Sequence, residues 1–315
     1  MRAAWGLAAA ALTLGLGLAQ ARAENLTVCL EENTPPFSWK EKNETGGFDL
    51  ALSRVVAERL GRTLAVQWYE VPETPENDKP SPSRGKNALL SAGKCDLVAG
   101  FPLSAPLLAK EVDTSRFIEF EGMTKADRGK VVTLDQMAPT RSYHFLPFTV
   151  LLAPKNAGRT VKDLDDLAGL VIGSQDGTLA DAILMMHSHR RLMRQTMHFT
   201  PGKGLEQGGG LLDRVDHNDV DATLVELNKY DAYKMEHPDT KIGLTGYFYS
   251  IGFNVAFVGL KKDQALLDHV SAILNDMLAK NELAPIAAKE HLTWIAPREP
   301  EIRERVSLGD LLGNQ

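Results

Sequence analysis

Polar residues follow three predicted strands of this chain at the points where those strands end. Ser104 follows the segment CDLVAGF, Thr178 follows the segment LVIG, and Glu226 ends the segment ATLVE. Ligands of open α/β sheets bind beyond the carboxyl ends of the strands. These loops are therefore expected to meet at one crevice. A few hydroxyl and carboxylate groups in such a crevice are typical of a small-molecule binding site.

Recognisable catalytic motifs do not support an enzyme. The sequence has no Gly-x-Ser-x-Gly and no His-Glu-x-x-His pattern, which would indicate a serine hydrolase or a zinc protease. His187 and His189 are two residues apart and diverge on a helix, so we expect a basic, solvated helix end that includes His198 nearby. No catalytic residue, metal site or cofactor is predicted, and an enzyme is the less favoured alternative.

Alternating strands and helices are predicted in the first part of the chain. NLTVCL, TLAVQWYEV and CDLVAGF read as strands. GGFDLALSRVVAERLG and KNALLSAG have helical spacing and a terminal glycine. ENTPPFSW and PETPENDKPSPSRG contain several prolines and predict loops. This alternation indicates a parallel sheet that is covered by helices.

A second α/β unit follows from residue 161. VKDLDDLAG, LADAILMMHSHRRLMRQ and LNKYDAYKMEH predict helices, and LVIGSQDGT contains a strand that leads into a glycine turn. The chain returns through the strand YFYSIGFNVAFVGL and the helix DQALLDHVSAILNDMLAKN to a polar tail that is expected at the surface. About 290 residues exceed one comfortable hydrophobic core, so two lobes are expected.

The first 23 residues resemble a secretory signal peptide. Arg2 precedes the apolar run 3–18, and Ala21, Arg22 and Ala23 fit a small-x-small cleavage site. Cleavage would change the net charge from −6 to −8, since it removes two arginines and no acidic residue. An acidic chain without a basic run is a poor candidate for binding nucleic acid or anionic membranes. We expect an exported, soluble protein of the periplasm.

The exported chain contains two cysteines, Cys29 and Cys95. One disulfide is the expected arrangement in an exported protein, and two buried free thiols are the alternative. Cys29 lies in the first predicted strand, and Cys95 begins the third. If these strands are neighbours in a parallel sheet, the two residues lie close enough to be bridged.

The order of several motifs resembles the family 3 periplasmic solute-binding proteins that serve amino-acid uptake transporters. The matching motifs are PPFSW, GGFDLAL, LLSAGKCDLVAG, AKEVDTS, LAGLVIGSQDGT, VDATLVEL and FNVAFVGLKKDQALLDHVSAILNDML. The resemblance implies an α/β fold of two lobes, with parallel or mixed sheets flanked by helices and two hinge crossings. Lobe one would comprise residues 24–145 and 248–315, and lobe two would comprise residues 146–247. A monomer is expected.

The same resemblance implies where a ligand would bind. The expected contacts are Phe37, Trp39, Gly100, Phe101, Pro102, Ser104, Gln175, Gly177, Thr178 and Glu226. Ser104 matches a hydroxyl that contacts the ligand, and Thr178 stands where a helix N-terminus caps a ligand carboxylate. Glu226 matches the acid that takes the amino group. Phe37 and Trp39 would either stack on the ligand or pack over the cleft.

One departure from the family pattern concerns the arginine that grips the ligand carboxylate. Its position falls at Leu107 or Leu108, and no neutral side chain replaces a bidentate guanidinium. The pattern predicts a small polar ligand other than a typical α-amino acid. The expected partner of such a receptor is an inner-membrane ABC permease.

A second resemblance suggests another partner. TVCL and GKCDLVAG are similar to the cysteine pair of the J-type subgroup, which accompanies pyrroloquinoline-quinone methanol and alcohol dehydrogenases. In that case the fold would serve as an accessory scaffold for a periplasmic quinoprotein dehydrogenase. Residues 116–139 would be either a partner-binding surface or a loop insertion.

Overall fold

The computed structural model describes residues 25–71, 80–110, 112–200 and 210–312. The predicted signal peptide, residues 1–23, lies outside these residues. Among the residues that are described, no helix combines the length and the apolar character that crossing a membrane requires.

Strands and helices alternate over much of the described chain. The strands are β1 Asn25–Glu31, β2 Asn33–Thr34, β3 Ser38–Glu41, β4 Glu44–Gly46, β5 Thr63–Glu70, β6 Leu97–Pro102, β7 Thr114–Arg116, β8 Glu119–Phe120, β9 Val131–Thr133, β10 Met137–Leu152, β11 Ile172–Gln175, β12 Thr196–Phe199, β13 Ala222–Glu226 and β14 Gly243–Leu260. The helices are α1 Phe48–Arg59, α2 Pro82–Ser91, α3 Ala105–Leu108, α4 Lys125–Arg128, α5 Leu179–Arg190, α6 Leu211–Asp216, α7 Leu227–Glu236, α8 Gln264–Ala279, α9 Leu283–Lys289 and α10 Leu308–Leu312.

One mixed sheet runs through the molecule in the order β12-β11-β13-β10-β14-β6-β1-β5-β8. Strand β1 pairs in parallel with β5 and β6, as the βαβ pattern predicts. The long strands β10 and β14 pair antiparallel at the centre and connect the two ends of the sheet. The mixed α/β fold class is therefore confirmed. The predicted lobe boundaries fall within β10 and β14 and stay a prediction.

Strand β1 shows how the sheet is buried. Leu26, Val28 and Leu30 belong to the hydrophobic cluster that also contains α1 and α8 residues, whereas Cys29 belongs to the cluster on the other face with α2. Successive side chains of a strand point to opposite faces, so a strand covered on both faces reads as a nearly continuous apolar run. This explains why NLTVCL is apolar without strict alternation.

The predicted disulfide is confirmed. Cys29 and Cys95 are bonded, with their Cα atoms 5.6 Å apart, within the usual range for disulfides. Strand β1 lies beside β6, and Cys95 stands two residues before β6 begins. The bond therefore ties neighbouring strands of the first βαβαβ unit.

Three segments differ from their predicted structure. ENTPPFSW is not simply a loop, because β2 and β3 pair on either side of the two prolines in a small separate sheet. Helix α2 begins at Pro82, earlier than predicted, because proline is well suited to the first turn of a helix. In VKDLDDLAG only Leu164–Leu167 is helical, as a 3-10 turn that Asp163 caps. Part of the proline-rich loop, residues 72–79, lies outside the described residues.

Residues 116–139 are packed into the protein and contain short strands, so this segment is not simply a loop. Strand β8 adds to the edge of β5 in the large sheet, and β9 pairs with β7. Phe117, Ile118 and Phe120 are buried in the cluster that contains the disulfide. The burial of these apolar residues makes the segment part of the core. A role in binding a partner stays a prediction.

Candidate functional site

A cavity of about 270 Å³ lies where the central strands meet the loops that follow β1 and β6. We call it the central cavity. Its wall contains Phe37, Gly100, Pro102, Ser104 and Glu226 of the predicted site. The loops after β6 and at the end of β13 are therefore brought together as expected. A volume of this size suits a small molecule.

Carboxyl, amide and hydroxyl side chains form the polar lining of the central cavity, and the hydroxyl groups belong to Thr34, Ser38, Tyr69 and Ser104. Glu31, Asp49 and Glu226 contribute carboxyl groups to the wall. Asn228 is buried there, and its amide oxygen has no hydrogen-bond partner. No Lys, Arg or His is among the described residues that line the cavity. Buried acceptors that lack a partner cost free energy unless a ligand or water donates to them.

Glu226 joins the central cavity to a second depression. It ends β13 and stands at the N-cap of α7, and it lines both spaces. Burial raises the pKa of its carboxyl group, and Lys229 in the first turn of α7 partly opposes this. Within the described part of the chain, the carboxylate makes no hydrogen bond or ion pair with another side chain. It is therefore available to a ligand from either side.

Asp49 is a site residue that the sequence analysis did not include. The Gly100 N–H donates to the Tyr143 hydroxyl at 2.8 Å, and that hydroxyl donates to Asp49 Oδ1 at 2.7 Å. Gly100 has a φ of +66°, and a Cβ there would lie 2.7 Å from Asp49 Oδ2. Only glycine therefore fits this position without strain. The chain of hydrogen bonds links α1, β6 and the central strand β10.

The Asp49 carboxyl group is 2 % exposed. Burial raises its pKa to about 7, against the hydrogen bond from Tyr143 and the charge of Lys86, which lower it. Lys86 itself pairs with Glu31 at 3.2 Å. A carboxyl group with this pKa is partly protonated at neutral pH, which is common at functional sites.

The folded protein is expected to lose stability as the pH rises from about 4 to about 7 because of Asp49. In this range the folded protein keeps the Asp49 proton and the unfolded chain releases it, so a higher pH favours unfolding. The slope cannot exceed about 1.4 kcal/mol per pH unit for one proton. Urea unfolding between pH 4.5 and 8.5 should show that Asp49→Asn removes this slope, whereas Asp239→Asn, which changes an exposed acid, keeps it. Equal slopes in wild type and Asp49→Asn would contradict the assignment.

Leu107 and Leu108, the two possible positions of the family's arginine, differ in their surroundings. Leu107 lines the central cavity, whereas Leu108 is buried in the core cluster of α2 and β6. Both belong to α3, a single turn that points one residue toward the cavity and the next away from it. Of the two predicted positions for the family's arginine, Leu107 is therefore the one that faces the central cavity.

Not all predicted site residues line the central cavity. Trp39 lies on a separate outer depression and packs against Gly46, where a Cβ would overlap its ring. Phe101 is buried in the core. Phe37 lines the cavity and also makes an edge contact with His144, so it both packs and faces the ligand space. Its two predicted roles are compatible.

The start of α5 forms the wall of the second depression. Gln175 and Thr178 line it, together with Glu226, and Gly177 stands in the turn between them with a φ of +76°. The Thr178 hydroxyl caps the helix by accepting from the Asp181 N–H at 3.1 Å. Asp176 and Asp181 place two carboxylates beside this helix N-terminus. These negative charges oppose the anion binding that a helix N-terminus favours.

The C-terminal tail fixes the loop after β6, which the sequence did not suggest. The Arg303 N–H donates to the Leu103 carbonyl at 3.1 Å, and the Ala105 N–H donates to the Arg303 carbonyl at 2.9 Å. These bonds bracket Ser104. A polar tail without hydrophobic periodicity gives no signal for such pairing, although it is mostly exposed, as predicted.

The expectation of a solvated histidine cluster is wrong for His187. Its side chain is 5 % exposed, whereas His189 and His198 are exposed. The backbone leaves helical geometry from His187 to His189, and His187 is buried. The break in α5 places His187 and His189 on different faces from those that an uninterrupted helix would give them.

Comparisons with known proteins agree with this architecture. The L-cystine solute receptor of Neisseria gonorrhoeae, unliganded and open, is 16 % identical with a TM-score of 0.58, over 87 % of this chain and 96 % of that chain. Substrate-binding domain 2 of Lactococcus lactis GlnP, also open, is 15 % identical with a TM-score of 0.57, over 89 % of this chain and 100 % of that domain. A Streptococcus pneumoniae substrate-binding domain assigned to an amino acid ABC transporter is 15 % identical with a TM-score of 0.56, over 85 % and 100 %.

These structures show the two-lobe fold and no more, because the identities are low. No curated protein matches the chain. The J-type subgroup and a dehydrogenase partner are not supported by any of these similarities and stay predictions. The sequence model of a bacterial family matches residues 26–292, which is most of the chain. The chain belongs to the bacterial extracellular solute-binding proteins, family 3.

Proposed function

We propose that this protein is a non-catalytic periplasmic receptor for a small cationic amine and that it delivers this ligand to an ABC permease of the inner membrane. The observation that carries the proposal is the lining of the central cavity. Three of the described lining residues, Glu31, Asp49 and Glu226, carry carboxyl groups, and none carries a cationic side chain. An ammonium group has three donors and no acceptor, which matches this set.

The charge balance of the cavity supports a cation. Lys86, which is not one of the lining residues, pairs with Glu31 and offsets one negative charge. Asp49 and Glu226 have no such cation in the cavity wall, and burial raises the pKa of both. A ligand cation would favour the ionised forms of both groups and so lower their pKa values. Binding is therefore expected to strengthen as the pH rises through 7, while the amine stays protonated.

A ligand carboxylate has no cationic partner among the described residues that line the central cavity. Leu107 stands where an arginine would be needed, and the start of α5 carries Asp176 and Asp181. An unpaired carboxylate would pay its desolvation cost without compensation. The proposed ligand class is thus amines or guanidines without an α-carboxylate, in contrast to the amino acids that the similar transporters bind.

A thermal-shift screen of the exported chain tests this class directly. The panel contains primary amines, quaternary amines, guanidines, α-amino acids and small carboxylates. A ligand at 100 times its dissociation constant adds about 2.7 kcal/mol to the free energy of unfolding, which raises the melting temperature by several degrees. Stabilisation by amines alone supports the proposal. Stabilisation only by amino acids or carboxylates, or by nothing in the panel, would overturn it.

Leu107→Arg is expected to reverse the ligand preference. The guanidinium would repel a bound ammonium and weaken amine binding by roughly tenfold or more, and it would supply the missing partner for a carboxylate. Isothermal titration calorimetry should show weaker amine binding and new binding of α-amino acids. Leu107→Met keeps the volume and charge and should behave like wild type. Unchanged amine affinity in Leu107→Arg would place the ligand elsewhere.

A further inference from the structure

We propose a second site, a structural site for a divalent transition metal, most suitably zinc, formed by Asp163, Asp165 and His187 in lobe two. One ligand atom from each of these side chains lies within 4.8 Å of the others. The two aspartates open the 3-10 turn Leu164–Leu167, and His187 lies near the end of α5. A metal here would connect these two segments across 22 residues of chain.

His187 provides the main observation. Its side chain is 5 % exposed, and neither ring nitrogen has a hydrogen-bond partner. Buried imidazole nitrogens nearly always have a partner, since leaving a polar atom buried and unpaired is costly. Asp165 Oδ1 is also buried without a hydrogen bond. His187 Nε2 and Asp165 Oδ1, which both lack a hydrogen bond, therefore lie close to each other.

The distances agree with metal coordination better than with hydrogen bonds. His187 Nε2 lies 3.4 Å from Asp163 Oδ1 and 3.4 Å from Asp165 Oδ1. A charged N–H···O bond would be shorter, at about 2.7–2.9 Å. Zinc binds nitrogen and oxygen at about 2.0–2.2 Å in a tetrahedron, which separates neighbouring ligand atoms by roughly 3.4 Å. The observed spacing thus leaves room for an ion between the three groups.

The groups around the two aspartates hold them in place and leave each Oδ1 atom at least one free lone pair. Arg191 pairs with Asp165 through the other oxygen, Oδ2, at 3.2 Å. Asp163 Oδ1 accepts the Asp165 N–H at 2.9 Å, and a carboxylate oxygen retains a second lone pair. One imidazole and two carboxylates suit zinc or a similar transition metal, whereas calcium and magnesium prefer oxygen ligands alone. Water would complete the coordination.

This site is distinct from the central cavity. Thr178 caps the start of α5 beside the second depression, and His187 lies nine residues further along, roughly 13 Å by the helical rise. The role inferred for the metal is to hold the segment before β11 against α5, as structural metal ions do. It does not depend on the proposed ligand of the cavity.

The chain contains a matched control cluster, Asp176, Asp181 and His198. His198 Nδ1 lies 3.0 Å from Asp181 Oδ1 and 3.2 Å from Asp176 Oδ1, which are hydrogen-bond distances. Ser174 and Thr200 donate to the same two aspartates, and His198 is exposed. These groups are already satisfied by one another, so this cluster is expected to bind zinc weakly.

The test measures zinc binding to the chelator-treated exported chain by calorimetry, with Co²⁺ absorption as a reporter of tetrahedral coordination. Wild type is expected to bind one zinc per chain. The double variant Asp163→Asn/Asp165→Asn should bind at least tenfold more weakly and lose the cobalt spectrum, while Asp176→Asn/Asp181→Asn should match wild type. Asparagine also caps helices, so the first variant should fold, and circular dichroism checks this. No zinc binding by wild type, or equal binding by the first variant, would overturn the site.

Discussion

Glu226→Gln is expected to weaken binding of the amine ligand by about 1.5–3 kcal/mol, the range for a hydrogen bond to a charged group. Glu226 lines both the central cavity and the depression beside α5, and within the described chain no side chain pairs with its carboxylate. Glutamine keeps the shape of the side chain and removes the charge. Calorimetry at pH 8 with the tightest amine of the screen measures the change, because a higher pH favours the ionised carboxylate against the burial that raises its pKa.

The control for this substitution is Glu236→Gln. Glu236 lies on the same helix, α7, and lines the second depression from an exposed position. Glu236→Gln should leave the amine affinity unchanged, because solvent and salt screen the charge of an exposed side chain. If both variants bind as wild type does, Glu226 is not a ligand contact. If both weaken binding equally, the effect is one of net charge and not of a specific contact.

Removing the disulfide is expected to lower the free energy of unfolding by about 4 kcal/mol. Cys29 and Cys95 are separated by 66 residues, and in the chain-entropy account a bond that closes a loop of this length stabilises by about that amount. Both residues are buried in the cluster of β1, α2 and β6. Urea unfolding of wild type and of Cys29→Ala/Cys95→Ala should give this difference, with a lower midpoint for the variant.

Treatment with a reductant distinguishes the effect of losing the disulfide from the effect of replacing the two side chains by alanine. It should destabilise wild type and leave the double-alanine variant unchanged, because that variant has no disulfide to lose. Titration of thiols in denatured, unreduced wild type should find none. Two reactive thiols in that experiment would show that the bond is absent in solution, whatever the variant does.

Sequence patterns gave most of the scaffold. The runs NLTVCL, TLAVQWYEV and CDLVAGF are β1, β5 and the region of β6, and the helical spacing after GGF and in DQALLDHVSAILNDMLAKN is α1 and α8. Each of these strands and helices can be identified from its own residues, by the spacing of its apolar side chains and by the glycines that end it. The alternation of strands and helices predicts that β1 and β6 are neighbours, so the bond between Cys29 and Cys95 could also be predicted from the sequence.

The composition of the site depended on contacts that sequence separation hides. Asp49 becomes a cavity residue because Tyr143, 94 positions later, donates to it and Gly100 approaches it closely. Leu107 and Leu108 are equivalent in the sequence, and only the turn of α3 decides which of them faces the central cavity. Glu31 stands at the carboxyl end of β1, a position that could have been inferred from the strand alone.

What the sequence determined by itself is the family and the principal strands and helices, since these rest on local periodicity and motif order. The tertiary structure alone decided which side chains share a cavity and which polar groups are left without partners. His187 illustrates the reason. Its spacing from His189 suggested a solvated helix end, but a break in the backbone turned it into a buried residue beside Asp163 and Asp165. Burial and pairing belong to the assembled fold, because they depend on residues that are distant along the chain.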